Sequence, residues 1–171
     1  LGFKEYEWRK KSKTFSDYLN YSKLQIKSPI WTGQNLEKKI ILIFSEQGIG
    51  DLIQFSRYLF ALKKTFSCKV ILRLKQNLSH FFDGNIQIVT ENDKIPKHDF
   101  HNHLASLPGI FYKKNKSFIK NINFIKENIE VNQKWSKILS KYKGLKVGIN
   151  STASSATTGD RIIPLDEFKK L

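Results

Sequence analysis

The chain has 171 residues, 40% of them hydrophobic and 13% aromatic, and carries 30 lysines and arginines against 15 acidic residues for a formal net charge of +15. That length holds one well-cored domain, or one domain and part of another, and falls short of two full α/β lobes. The charge by itself favours anionic partners such as phosphates or nucleic acid, but the only arginines are Arg9, Arg57, Arg73 and Arg161, and the lysines run from Lys4 to Lys170 without gathering on one element, the pattern of solvated faces.

The opening LGFKEYEWRKK places Phe3, Tyr6 and Trp8 at near-helical spacing, so Leu1 to Lys11 reads as the end of an amphipathic helix. The chain has neither an initiator Met nor a signal-peptide apolar segment, and IPLDEFKKL breaks off as a helix begins, so the expectation is a fragment of a longer protein. No apolar run approaches the ~18 residues of a membrane span. From Ser12 to Lys38 the pattern is irregular, a connecting segment with Pro29, Gly33 and Asn35 as turn residues and Trp31 as its packing anchor. KKIILIFS, Lys38 to Ser45, is a continuous apolar, β-branched run, as expected of a strand buried on both faces of a parallel sheet.

EQGIG then turns the chain, and Leu52, Ile53, Phe55, Tyr58, Leu59 and Leu62 share one face of a helix predicted over Asp51 to Lys64. CKVILRL is the second strand, QNLSHFF a short helix, IQIVT the third strand and DFHNHL the fourth; this short alternation predicts an α/β fold with a parallel sheet. A single cysteine, Cys68, excludes an intrachain disulfide and a cysteine metal site, and fits a reducing compartment, hence a cytoplasmic protein. EVNQKWSKILSKYK carries Val131, Trp135, Ile138 and Leu139 on one stripe, a helix whose Trp135 side is expected in the core, ended by Gly144. LKVGINS, Leu145 to Ser151, reads as a further strand, followed by a small-polar loop and Pro164 at the start of the next helix.

The stretch with most chemistry is EQGIGD, Glu46 to Asp51. A strand that ends in a glycine turn and feeds a helix N-terminus builds an anion site, because unpaired N–H groups and the helix dipole point outward there. The dinucleotide fingerprint needs a third glycine where Ile53 stands, and the second strand ends in Arg73 and Lys75 without a ribose-binding acid; a P-loop lacks its Gly-Lys-Ser/Thr. Asp51 has two readings, a helix cap or a catalytic base, and spacing alone favours the cap. His101 and His103 are two apart and face the same side of a strand. With Asp99 they hint at a metal pair, but no fourth ligand accompanies them and no metal is expected. His101 is left as a pocket-lining or a structural residue, and Arg57, beside Gln54, as a surface ion-pair partner or an anion contact.

Longer stretches add a resemblance. Trp31, Gly33 and Leu36, followed by Glu46, Gln47, Gly48, Gly50, Asp51, Gln54, Phe55, Arg57 and Tyr58, resemble the Trp-x-Gly-x-x-Leu and Glu-Gln-Gly-x-Gly-Asp-x-x-Gln-Phe-x-Arg-Tyr segments of bacterial glycosyltransferases that carry tetratricopeptide repeats. EYEWR, Glu5 to Arg9, looks like the end of the repeat region that precedes the transferase there, and DFHNHLASLP, with His101, Ser106, Leu107 and Pro108, is similar to the family's Asp-aromatic-His segment. The resemblance implies the two-lobed GT-B fold, related to the heptosyltransferases, in which the first lobe binds the acceptor and the second the nucleotide-sugar donor. Residues 1–37 would then be repeat helix and connection, 38–143 a Rossmann-like acceptor-side lobe, and 144–171 the start of a donor-side lobe that is cut off, leaving the fragment inactive alone.

By that resemblance Asp51 would be the base that takes the acceptor proton, with Gln47, Gly48, Gly50, Gln54, Arg57 and His101 lining the substrate site. GDRIIPL is similar to the segment in which a basic residue reaches the donor phosphates, a role that would fall on Arg161, although Ile162 stands where the family has Ser and the preceding loop lacks the usual Trp and Gly-Asn-Pro. The donor would be a nucleotide sugar, with no cofactor and no metal, the acceptor a protein or an envelope glycan, and the upstream repeats a platform for acceptor or partner. The rival reading is a basic α/β module that binds nucleic acid or phosphate without catalysis; it lacks the clustered cations and interleaved aromatics of single-strand platforms.

Overall fold

The computed structural model describes residues 2–13, 15, 24, 26–75, 78, 81–82, 85–115, 127–149 and 164–168. They fall into two units, Leu1–Glu127 and Asn128–Leu171. The first is built on a sheet of four strands, β1 (Ile40–Phe44), β2 (Lys69–Leu74), β3 (Gln87–Thr90) and β4 (Phe100–His103), in the order β3-β2-β1-β4 and all parallel. With α2 (Ile49–Phe66) and α3 (Leu107–Asn115) flanking it, this is the Rossmann-like α/β layer expected from the alternating runs. β1 lies between two neighbours and is covered above and below, which is why IILIF shows no polar alternation.

On one face Ile41, Ile43, Val70, Leu72 and Leu74 pack with Leu52, Leu59, Leu62 and Phe66 of α2 and with Leu107 and Phe111 of α3. The buried residues of α2 recur at helical spacing, and the helix ends at Ser67, which takes a left-handed φ of 47° and returns its N–H to the Lys63 carbonyl at 3.0 Å. Trp31 closes this core from the connecting segment: it is 1% exposed, its ring lies edge-on to Phe66 at 5.7 Å, and its indole N–H donates to the Gln34 carbonyl at 2.8 Å. Cys68, buried between α2 and β2, belongs to the same cluster, and burial pushes its thiol pKa up. Residues 29–31 line the free edge of β4, with Trp31 N–H on the His101 carbonyl at 2.9 Å, so that edge is paired rather than open.

The other face is covered differently. Leu42, Phe44, Ile71 and Val89 form a smaller cluster against Phe15, Leu24, Ile26 and Ile95, and the connection from β3 to β4, residues 91–99, crosses to the far side of the sheet without forming a helix. Asp99 finishes that crossing by accepting the Ile40 N–H at 2.8 Å where β1 begins.

Four expectations need correction. Gly2–Tyr6 (α1) is α-helical, but Glu7–Lys11 tightens into a 3-10 helix. In the second unit α4 (Ile129–Leu139) forms, capped by Asn128, whose side-chain oxygen accepts the Val131 N–H at 3.0 Å, but it ends at Ser140, short of the expected stop at Gly144. Its stripe is not core: Val131, Trp135, Ile138 and Leu139 are 38–53% exposed. An amphipathic pattern becomes core only where another apolar surface covers it. Likewise 145–149 is no strand, and Leu145 and Val147 stand 92% and 72% exposed; an apolar run needs a neighbouring strand to pair with. Pro164 leads into α5 (Leu165–Phe168). Most of QNLSHFF, the residues from 150 to 163 and with them Arg161 lie outside the described residues.

Candidate functional site

Because the chain runs from β1 outward to β2 and β3 and then returns to the other side of β1 to lay down β4, the strand order reverses at β1, and the turns leaving β1 and β4 lie side by side at the carboxyl ends of these two strands. Open parallel sheets form their ligand crevice at such a switch point. The Ser45 N–H, donating to the Arg73 carbonyl at 3.0 Å, is the last rung on β1. The chain then turns through Glu46 and Gln47 to Gly48, the residue before α2.

The first bond of α2 runs from the Leu52 N–H to the Gly48 carbonyl at 3.0 Å, and no side chain caps the helix. The N–H groups of Ile49, Gly50 and Asp51 therefore lack helical partners and face outward. Asp51 is the third residue of the helix, not its cap, because the glycine turn lets the helix start before it. Its carboxylate folds back toward the turn: a β-carbon on Gly48 would lie 3.9 Å from Asp51 Oδ2.

Two depressions meet at this turn. One is an open cleft of about 340 Å³ between the ends of β1 and β2, lined by Ser45, Glu46, Gln47, Gly48, Ile49, Leu52, Leu74, Lys75 and Leu78. Lys75 adds a cation where the free N–H groups already favour an anion. The other is a crevice between the turn and Leu104–Ala105, bordered by Glu46, Gln47 and Asp51 and too tight to hold a water molecule.

Of the residues expected at the site, Gln47 borders both depressions, Gly48 the cleft and Asp51 the crevice, while Gly50 is the second residue of α2 and lines neither. Gln54 is exposed and Arg57 donates from Nε to the Gln54 carbonyl at 3.0 Å, one turn further along α2; neither borders the cleft or the crevice. His101 sits elsewhere, in the middle of the sheet's second face, with Nδ1 3.0 Å from Ser28 Oγ and its ring edge-on to Phe44 at 6.1 Å. Burial holds its pKa below the usual imidazole value. It is a packed histidine in this structure, paired in register with Leu42 of β1. His103, one row nearer the switch point and in register with Phe44, is pushed down to about 2, first by burial and then by Lys10, Arg9 and His101.

What the sequence did not suggest is a polar network reaching into the switch point from the 3-10 helix. Arg9 Nη2 donates to Glu46 Oε1 at 2.9 Å and to Ser106 Oγ at 2.7 Å; Nη1 donates to Glu7 Oε1 at 2.9 Å and to the Tyr6 carbonyl at 3.1 Å. Ser106 Oγ in turn donates to Glu7 Oε2 at 3.2 Å, and Lys10 pairs with Glu7. The Glu46 side chain is 1% exposed and that of Arg9 11%. Burial pushes the Glu46 carboxyl up, and the bonds from Arg9 only partly offset it; Glu7, also raised by burial, is brought below its usual range by Lys10 and Arg9. The only signal in the sequence was that Arg9 is one of four arginines among many lysines, a choice that favours a planar, multidentate contact.

Among the described residues no cluster of three or more potential metal ligands occurs, and no helix is long and apolar enough to cross a membrane. Comparison of the chain with protein-family models, with curated proteins and with solved structures finds no match.

Proposed function

We propose that this chain carries the acceptor-side lobe of a cytoplasmic GT-B glycosyltransferase that moves a sugar from a nucleotide-sugar donor to a protein or envelope-glycan hydroxyl. The observation that supports it best is the placement of Asp51: it borders the crevice at the switch point, its carboxylate folded back toward the glycine turn whose Gln47 and Gly48 also line the neighbouring open cleft. Glycosyl transfer to a hydroxyl needs a carboxylate or imidazole to take the acceptor proton as the bond to the anomeric carbon forms. The Gln47–Gly48 wall orients the acceptor, and Asp51 is the base. Arg161, ahead of the helix that begins after Pro164, is the residue assigned to the donor diphosphate, with no metal in the scheme; upstream repeats hold the acceptor.

The test is Asp51→Asn in the natural protein, assayed with a panel of nucleotide sugars. Turnover falls ~100-fold or more with the melting temperature little changed. The substitution keeps size and hydrogen bonding and, with no cap bond to lose, has little to act on except the proton transfer. Retained turnover would remove Asp51 from the mechanism. A steep salt-dependent affinity for oligonucleotides, with no sugar transfer by the natural protein, would favour the phosphate-binding module instead.

A further inference from the structure

The network at the switch point joins three segments far apart in the chain: Glu7 and Arg9 from the 3-10 helix, Glu46 from the turn after β1, and Ser106 from the turn after β4. The 3-10 helix follows directly on α1, which is itself seated on α3, where a β-carbon on Gly109 would come within 3.2 Å of Phe3 Cβ. So the guanidinium is delivered by an anchored element, and its planar fork spans Glu7, Glu46 and Ser106 at once. A lysine at this position reaches one of them at a time.

The pair is an expensive way to gain stability. Glu46 Oε2 and Arg9 Nε are buried without hydrogen-bond partners among the described residues. Buried ion pairs of this kind are often matched or bettered by apolar substitutes. What the network does supply is geometry. Glu46 is bonded on one side to the fixed end of β1, where the neighbouring Ser45 N–H holds Arg73, and on the other leads straight into Gln47, Gly48 and the first turn of α2. Without the guanidinium nothing else described ties the Glu46 side chain to the β4 side of the crevice except the Ala105 backbone amide.

We propose that Arg9 is a positioning residue: by holding Glu46 against Ser106 it fixes the turn from Ser45 to Gly48 and so sets where Asp51, in the first turn of α2, stands relative to the crevice. Its kinetic consequence rests on the reading of Asp51 as the base; its structural consequence does not. The segment that carries Arg9 is thereby part of the site rather than a spacer in front of it.

The experiment compares Arg9→Met, Arg9→Lys and Ser106→Ala with the parent chain by amide hydrogen exchange, following the Ser45 and Leu52 amides, whose bonds to the Arg73 and Gly48 carbonyls bracket the turn. In Arg9→Met both amides exchange about 10- to 100-fold faster, the factor that loss of a charge-assisted hydrogen bond gives to a local opening. Arg9→Lys falls between, and the Leu59 and Leu72 amides keep their rates. Unchanged Ser45 and Leu52 rates in Arg9→Met overturn the proposal. If Arg9→Met does not fold, Arg9→Lys and Ser106→Ala decide it by the same two amides.

In the natural protein the same variants are assayed for transfer, where Arg9→Met lowers kcat by roughly 100-fold while the donor KM stays within a few-fold, the signature of a misplaced group rather than a lost binding contact. Faster exchange with kcat intact would overturn the link to Asp51. Faster exchange in a protein that transfers no sugar would leave the positioning in place and refute the transferase reading.

Discussion

On one face of the sheet Ile41, Ile43, Val70, Leu72 and Leu74 meet the apolar sides of α2 and α3; on the other, Leu42, Phe44, Ile71 and Val89 share the surface with His101, His103 and Arg73 and pack against Phe15, Leu24, Ile26 and Ile95. The rows are in register: Phe44 of β1 stands between His103 of β4 and Arg73 of β2, itself buried and donating from Nη2 to the Glu91 carbonyl at 3.3 Å. The first face is held by burial of hydrocarbon, which no proton disturbs. The second adds to its hydrocarbon two buried imidazoles whose charged form burial disfavours. One sheet thus combines a face whose contribution is indifferent to pH with a face whose contribution is conditional on it.

The sharpest way to break that comparison is to hollow the first face. Trp31→Ala removes a fully buried indole from between Phe66 and Phe111 and is expected to cost about 3–5 kcal/mol in denaturant unfolding, the same at neutral and mildly acid pH. A loss below about 1.5 kcal/mol would mean that the aliphatic layer does not depend on its anchor.

Asn102, buried in register with Ile43 of the first face, donates from Nδ2 to the Trp31 carbonyl at 2.6 Å and accepts the His103 N–H at 2.7 Å. Asn102→Ala takes both bonds from groups that stay buried, so about 1–3 kcal/mol is expected in the same measurement. A smaller loss would mean that the edge of β4 holds its place without this side chain.

The second face is tested by acid. His103 is neutral in the native state, with its pKa near 2, whereas the unfolded chain takes up its proton near pH 6.5. The unfolded state then binds more protons, so stability falls as pH drops below about 6.5, with a slope approaching about 1.4 kcal/mol per pH unit for this residue. His101, also lowered by burial, adds to the same trend. Glu46, raised, contributes the other way: its share is present below the ordinary carboxylate range and lost as pH climbs through its raised value. Melting curves over this interval should flatten in His103→Leu and keep their slope in Trp31→Ala; an unaltered slope in His103→Leu would place the acid sensitivity elsewhere. The smallest effect lies outside the sheet: Asn128→Ala removes a cap from α4, costs about 1 kcal/mol of local helix by circular dichroism, and leaves the acid slope alone.

The sheet was legible because buried parallel strands and amphipathic helices write their identity locally. IILIF and KVILRL announce β1 and β2, and the spacing of Leu52, Leu59 and Leu62 announces α2 to within two residues at each end. Partnership is not local. Nothing in EYEWR says that Arg9 will meet Glu46, and nothing in the stripe of Val131 and Trp135 says whether a surface will cover it. At the site the glycine turn and the position of Asp51 near a helix start were readable, but its status as cap or first-turn residue depended on where the helix began. His101 was readable as a strand residue facing the same side as His103; which face that is follows only from the pairing of β4 with β1.

The lone cysteine turns the first face into something that can be timed. Thiol reagents attack the thiolate, and Cys68 is 5% exposed with its pKa raised, so in the closed molecule it is both screened and protonated. Labelling waits for the end of β2 to part from α2, and the ratio of the observed rate to that of the unfolded chain is the equilibrium constant for that parting. A substitution that loosens only the second face leaves this rate untouched, whereas one that loosens the first quickens it in proportion, with no probe added to the protein.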